Sequence, residues 1–231
     1  MPSQVKKTRS SSSTSFPTAD SHLVFFPIAV LTLVLWFIYR MLFSFPVWFD
    51  ESVGKALFFG LPAWFFVIIT NYKAISETFS LKKLYSGLLL GLAVGGVYGF
   101  VTSLLSIWQT GSTVQAAWLF TSSTFWFEFF LALLTAFWET LLFYSFFMTV
   151  VMDKYPQWSL TRKVVLVAII FVLFHIPNTY LRFTSPEVIP QLLLLFLFGL
   201  GQALLFAERR NAYALVLSHA IWGMVLLTHA G

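Results

Sequence analysis

A single carboxylate, Glu139, stands in the middle of a long apolar run, within the stretch FWETLLFYSFF. His175 in FVLFHIPNTY and His219 in LVLSHAIWGMV are ionisable groups in apolar runs of their own. A charge in hydrocarbon costs ~2.5–3.5 kcal/mol even on the mildest insertion scales, so such groups usually face protein or water and carry a function. A carboxylate can take a proton from water and return it to a leaving amine. Imidazoles can orient that water or donate to a developing oxyanion. If the three groups meet, they can hydrolyse a peptide bond without a covalent intermediate. Two His and one Glu also make a zinc set with one open position. A proton relay in a transporter is a further use of the same residues, and a protonated Glu139 bonded between helices is the purely structural one.

Glu139 lies fourteen residues after Phe125 and thirteen before Met152, so either end of its run is ~20 Å away along a helix axis. A side chain that short cannot snorkel to water. Glu128 lies on the same helical face, ~16 Å away and too far to share a proton, near enough to the span end to reach the interface. His175 follows Phe171 by one turn and is itself followed by Pro177 and Asn178. A proline there frees backbone carbonyls, which protein or water must satisfy. His22 and His229 fall at span ends and are assigned no role.

The elements that must position these groups are membrane spans. The 231 residues are 58% hydrophobic and only 10% charged, whereas a soluble domain is about a quarter charged. A spanning helix needs about 20 mostly apolar residues, and seven such runs are present, at roughly 22–45, 54–72, 86–107, 125–152, 164–181, 188–207 and 212–229. They are too long, and alternate too little, for strands. The expected fold is all-α, a polytopic bundle of about seven transmembrane helices. Residues 1–21 read as a disordered basic Ser/Thr-rich tail, 22–124 as N-terminal transmembrane helices and 125–231 as a core of four helices. Eleven Lys and Arg fall on one side of this arrangement, in the tail and in the second, fourth and sixth loops; Arg40, Lys55 and Arg182 fall on the other. The bias places the N-terminus inside. Water is expected to reach the site from the inward half. The uncharged third loop, 108–124, has room for a re-entrant segment. The net charge of +5 therefore reads as membrane orientation, and no nucleic-acid partner is expected. No cysteine is present, which excludes disulfides and thiolate metal sites.

The stretches AFWETLLFYSFF, FVLFHIPN and RRNAYALVLSHAIWGMV resemble, in order and spacing, three motifs of the CAAX-protease and bacteriocin-processing family, also called CPBP or Abi. Its pattern is E-E-x-x-x-R, then F-x-x-x-H, then H-x-x-x-N. The resemblance covers roughly residues 125–230. It implies an intramembrane endopeptidase of glutamic type, with Glu139 as the base that activates water and His175 and His219 binding water and stabilising the oxyanion. It implies no metal, zinc remaining the alternative. It also implies a hydrophobic or lipid-modified peptide as substrate and membrane lipid as surroundings; a bacterial or archaeal cell membrane is the simplest expectation for the source.

Three positions depart from the pattern. The second Glu is Thr140, the Arg is Tyr144 and the final Asn is Gly223. Positions 140 and 144 stack on a helix, so a Glu–Arg pair replaced as a unit leaves no stranded charge. At Gly223 an oxyanion donor is missing, which Asn178 is expected to replace in part. These losses also define the competing reading, an inactive membrane protein that binds a peptide or partner in an immunity or scaffold role; a proton-coupled transporter is a weaker one. Gly87, Gly91, Gly95 and Gly99, at four-residue spacing, predict a helix-packing groove. Gly199 and Ala203 predict a second close approach, and Gln202 a hydrogen bond across the bundle. Trp36, Trp48, Trp64, Trp108 and Trp126 are expected at span ends.

Overall fold

A computed structural model describes residues 19–111 and 123–229, and among these no strand occurs. The principal helices are α1 (Ala19–Leu42), α2 (Val47–Thr70), α3 (Leu84–Thr110), α4 (Phe125–Lys154), α5 (Leu160–Arg182), α6 (Ser185–Arg209) and α7 (Ala212–His229). Among the described residues, six helices are long and apolar enough to cross a membrane, and Ala212–Val225 is a shorter apolar one. The chain is thus an integral, multi-pass, all-helical membrane protein. Local chemistry sets the breaks. Asn71 ends α2 in the left-handed region (φ 52°). Ser159 caps α5 by accepting from the Arg162 N–H. Thr184 and Glu187 form a reciprocal capping box at the start of α6, with a proline in its first turn.

Two helices depart from α geometry near the buried charges. Asp50–Gly54 and Ala56–Gly60 of α2, and Thr140–Met148 of α4, are wound as π-helix. Such turns are rare and gather at functional sites.

The core is aromatic. Phe59, Phe143, Phe146, Phe147, Phe171 and Phe174 are buried, and Phe143 meets Phe171 and Phe174 edge-on at centroid distances of 5.0 and 5.2 Å. In lipid, helices associate through close packing and hydrogen bonds. The glycine stripe supplies one such seam, between α3 and α7. Gly87 abuts Asn211 and Tyr213, Gly91 abuts Ala214 and Leu217, Gly95 abuts Ser218 and Ile221, and Gly99 abuts Val225. Gly199 lies against Ala168 and Phe171, and Gln202 donates to the Ser218 hydroxyl at 3.0 Å.

The structure corrects several expectations. α1 begins at Ala19, inside the stretch assigned to the tail; residues 1–18, and residues 112–122 of the 108–124 loop where the sequence has room for a re-entrant segment, lie outside the described residues. α2 begins seven residues before the apolar run at 54, because the acids and the lysine in FDESVGK turn inward and pair. Lys55 is therefore no external loop charge. Trp36 is no interfacial anchor: it is 1% exposed, and its indole N–H donates to the Phe174 carbonyl at 2.8 Å.

Candidate active site

Glu139 is the last residue before the π-helical stretch of α4. Its carboxylate is buried, and its two oxygens differ. Oε1 accepts from Lys55 Nζ at 2.6 Å. Oε2 lies 3.4 Å from His175 Nε2 and 3.6 Å from His219 Nε2 and accepts no hydrogen bond. Residues from α2, α4, α5 and α7 thus converge on one carboxylate.

Packing explains how each arrives. α2 reaches α4 because residue 60 is glycine; a Cβ there would collide with the Trp138 ring. His175 is held by its own helix. Its Nδ1 donates to the Phe171 carbonyl at 2.7 Å, and the two rings lie 4.1 Å apart. Phe171 therefore serves the histidine one turn later with both its carbonyl and its ring. A carbonyl can only accept, so Nδ1 carries a proton, and Nε2 presents a lone pair whenever the ring is neutral. His219 sits beside Phe198, centroids 4.8 Å apart, and Phe198 is stacked on Trp222 at 3.8 Å.

Glu139, His175 and His219 line one cavity of about 630 Å³, together with Phe171, Asn178 and Gly223. The Oδ1 of Asn178 has no hydrogen-bond partner. A Cβ built on Gly223 meets no atom within 4 Å, so this position is open space in the wall. Thr140 and Tyr144 do not line the cavity. Both are buried, and neither side-chain oxygen has a hydrogen-bond partner among the described residues, so they fill space where the motif has an ion pair.

The cavity runs from Glu139 to Val47, Thr124, Arg182 and Phe183, which are exposed residues at helix ends. Glu128 lines it near that mouth and accepts from the Thr124 hydroxyl at 2.9 Å. This end lies away from the loops that carry Lys73, Lys82, Lys83, Lys154, Arg162, Lys163, Arg209 and Arg210. Whereas the sequence predicts access from the inward, basic half, the cavity mouth, lined by Glu51, Glu128 and Arg182, lies at the end away from those basic loops.

Sequence reasoning missed Lys55, Glu51 and Thr135. Lys55 Nζ donates to Glu51 as well as to Glu139, and Thr135 Oγ1 donates to Glu51 Oε2 at 2.7 Å. Arg182 stands 3.8 Å from Glu51 Oε1. The available signal was the i, i+4 spacing of Glu51 and Lys55 at the head of an apolar run.

Fold and site together define a polytopic membrane protein whose buried carboxylate faces two imidazoles at the floor of a cavity. Residues 121–225 match the family model described as type II CAAX prenyl endopeptidase Rce1-like, so this segment, a little under half of the chain, is similar to that CAAX-protease family. No curated protein and no solved structure matches the chain.

Proposed function

We propose that the protein is an intramembrane endopeptidase that hydrolyses peptide bonds of hydrophobic or lipid-modified peptides, with Glu139 as the base and His175 and His219 assisting. The observation that carries this reading is the meeting of the three side chains at one oxygen, inside a cavity wide enough for an extended peptide. With the His175 ring neutral, Glu139 Oε2 and His175 Nε2 are two acceptors 3.4 Å apart. A water that donates one O–H to each satisfies both, and its remaining lone pairs face the cavity. Oε2 takes a proton as the water oxygen attacks the scissile carbonyl carbon, then delivers it to the leaving nitrogen as the C–N bond breaks. His219 and the Asn178 amide, both on the cavity wall, are the donors for the developing oxyanion.

The centre is read as metal-free. The Lys55 ammonium already supplies a cation to the carboxylate, which favours this reading over the zinc set that the same residues could form. Cleavage by the purified protein that survives a strong chelator supports this, and loss restored by zinc overturns it. With the basic loops inside, the mouth opens on the outer face, and peptides are taken from there or from the adjoining leaflet.

The direct experiment places purified protein in lipid with a library of hydrophobic peptides and compares it with Glu139→Gln. Cleavage lost in the variant supports the reading; cleavage retained overturns it. Failure of every form to cleave favours the second reading, a peptide-binding protein without turnover, to which the missing donor at Gly223 points.

A further inference from the structure

The family motifs lie on α4, α5 and α7, yet the shortest described contact to Glu139 comes from α2, outside the matched segment. Lys55 is buried to 4% side-chain exposure between two carboxylates, Glu51 and Glu139. Glu51 has partners of its own in Thr135 and Arg182, so the lysine is not needed to satisfy it alone. Lys55 binds only Oε1 of Glu139, which leaves Oε2 as the one oxygen turned to both imidazoles.

A free carboxylate presents two equivalent oxygens and rotates about its last torsion. A charge-assisted hydrogen bond to one oxygen breaks that equivalence and fixes the plane of the group. We propose that Lys55 is the positioning residue of the catalytic centre. It pins Oε1 of Glu139 so that Oε2 alone receives the proton of water, and Glu51, held by Thr135, in turn pins Lys55. The inference rests on the reading of Glu139 as the base. It also explains how the site lacks a cation at position 144: one arrives from a different helix, on the other side of the carboxylate. Lys55 lines the cavity as well, so the ammonium sits where an ordered peptide would pass.

The test compares Lys55→Met, Lys55→Arg and Glu51→Gln with the unaltered protein in lipid. A purely structural lysine would change stability and leave the rate profile of the folded fraction alone. For a positioning lysine, Lys55→Met lowers kcat about 100-fold, the scale of an ångström's misplacement, with KM little changed. The acidic limb of its pH–rate profile moves to higher pH. The groups facing Glu139 are Lys55 and Glu51 from α2, His175 from α5, His219 from α7 and Tyr144 from its own helix, and only the first is removed. Lys55→Arg, which keeps the charge, restores most of kcat and the original limb. Should Lys55→Met not assemble, Glu51→Gln decides: it keeps the cation but loosens its anchor, and kcat falls several-fold with KM unmoved. An unaltered kcat and pH profile in folded Lys55→Met or Glu51→Gln overturns the proposal.

A second measurement needs no substrate. Infrared difference spectra against Glu139→Gln report the carboxylate stretch of Glu139. The proposal expects that band near neutral pH in the unaltered protein and in Lys55→Arg, and its replacement by a protonated carbonyl band in Lys55→Met. A band unchanged by Lys55→Met overturns it. If Glu139→Gln still cleaves, the base assignment fails, and the infrared result separately decides whether Lys55 governs that carboxylate.

Discussion

The two ends of the bundle are built on opposite plans. At the basic end, the connection between α2 and α3 folds inward and seals the helices. Ile75 and Thr78 are buried. The Tyr72 hydroxyl donates to Asp153 at 2.5 Å, Thr78 donates to Ser145 at 2.8 Å, and Tyr213 donates to the Phe79 carbonyl at 2.7 Å. Lys83 and Asn211 close the ring by bonding across to the Arg210 and Lys83 carbonyls. At the other end, α2, α4, α5 and α6 part around a cavity, and the charged side chains there turn inward toward it. The glycine-packed α3–α7 seam runs along the length between the two. One end thus uses polar groups to close the protein, while at the other Glu51, Glu128 and Arg182 line a cavity that reaches Glu139. The lesson is that polar residues at both ends find partners, and the ends differ in whether those partnered groups fill the interior or line an open cavity.

The largest expected effect falls on that space. Glu139→Gln should lower kcat by about 100- to 10,000-fold, read by peptide cleavage in proteoliposomes. Glu139→Ala should in addition remove one of the two carboxylates that hold Lys55 and lower the unfolding temperature modestly, since Glu51 remains as its partner. A stable Glu139→Ala protein would show the pair to be dispensable to the fold.

Accessibility comes next. The chain has no cysteine, so single cysteines report cleanly. In intact cells, Phe183→Cys at the mouth should react with a membrane-impermeant thiol reagent and Ser159→Cys at the basic end should not. The reverse pattern would invert the orientation and move substrate access to the inside.

Gly223→Asn sharpens the comparison from within the cavity. The side chain has free room, and a restored donor should raise kcat by up to the ~100-fold that one such group is worth. A fall would mean that the open space is itself used by the substrate.

The smallest effect is expected at the sealed end. Tyr72→Phe should cost about 1.5–3 kcal/mol, the worth of a hydrogen bond to a charged group, and leave kcat alone. Burial, and then the bond to Asp153, push the Tyr72 phenol above its ordinary value. The folded state then holds a proton that the unfolded state releases near pH ~10. The contribution is complete below that pH and fades as the pH climbs further; unfolding followed into the alkaline range should show the loss in the unaltered protein and not in Tyr72→Phe.

The spans and the pairing of glycines with a neighbouring helix were legible because both are local patterns of composition and spacing. Glu139, His175 and His219 stood out because lipid makes ionisable groups conspicuous. Lys55 and Glu51 did not, since a charge near the end of an apolar run looks like the loop that usually follows it. Their inward turn depends on Gly60 letting α2 approach Trp138, a contact between distant segments that no local pattern encodes. Trp36 misled for the same reason: its partner, Phe174, lies 138 residues away.

The order in which the site residues leave the ribosome follows from their helices. Lys55 is made first, with Glu51 one turn away on the same helix as its partner, and Glu139 follows 84 residues later. His175 and finally His219 come after. On the reading of Glu139 as the base, a nascent chain holds the acid and its lysine before either imidazole, and the proposed centre is complete only once α7 has been made.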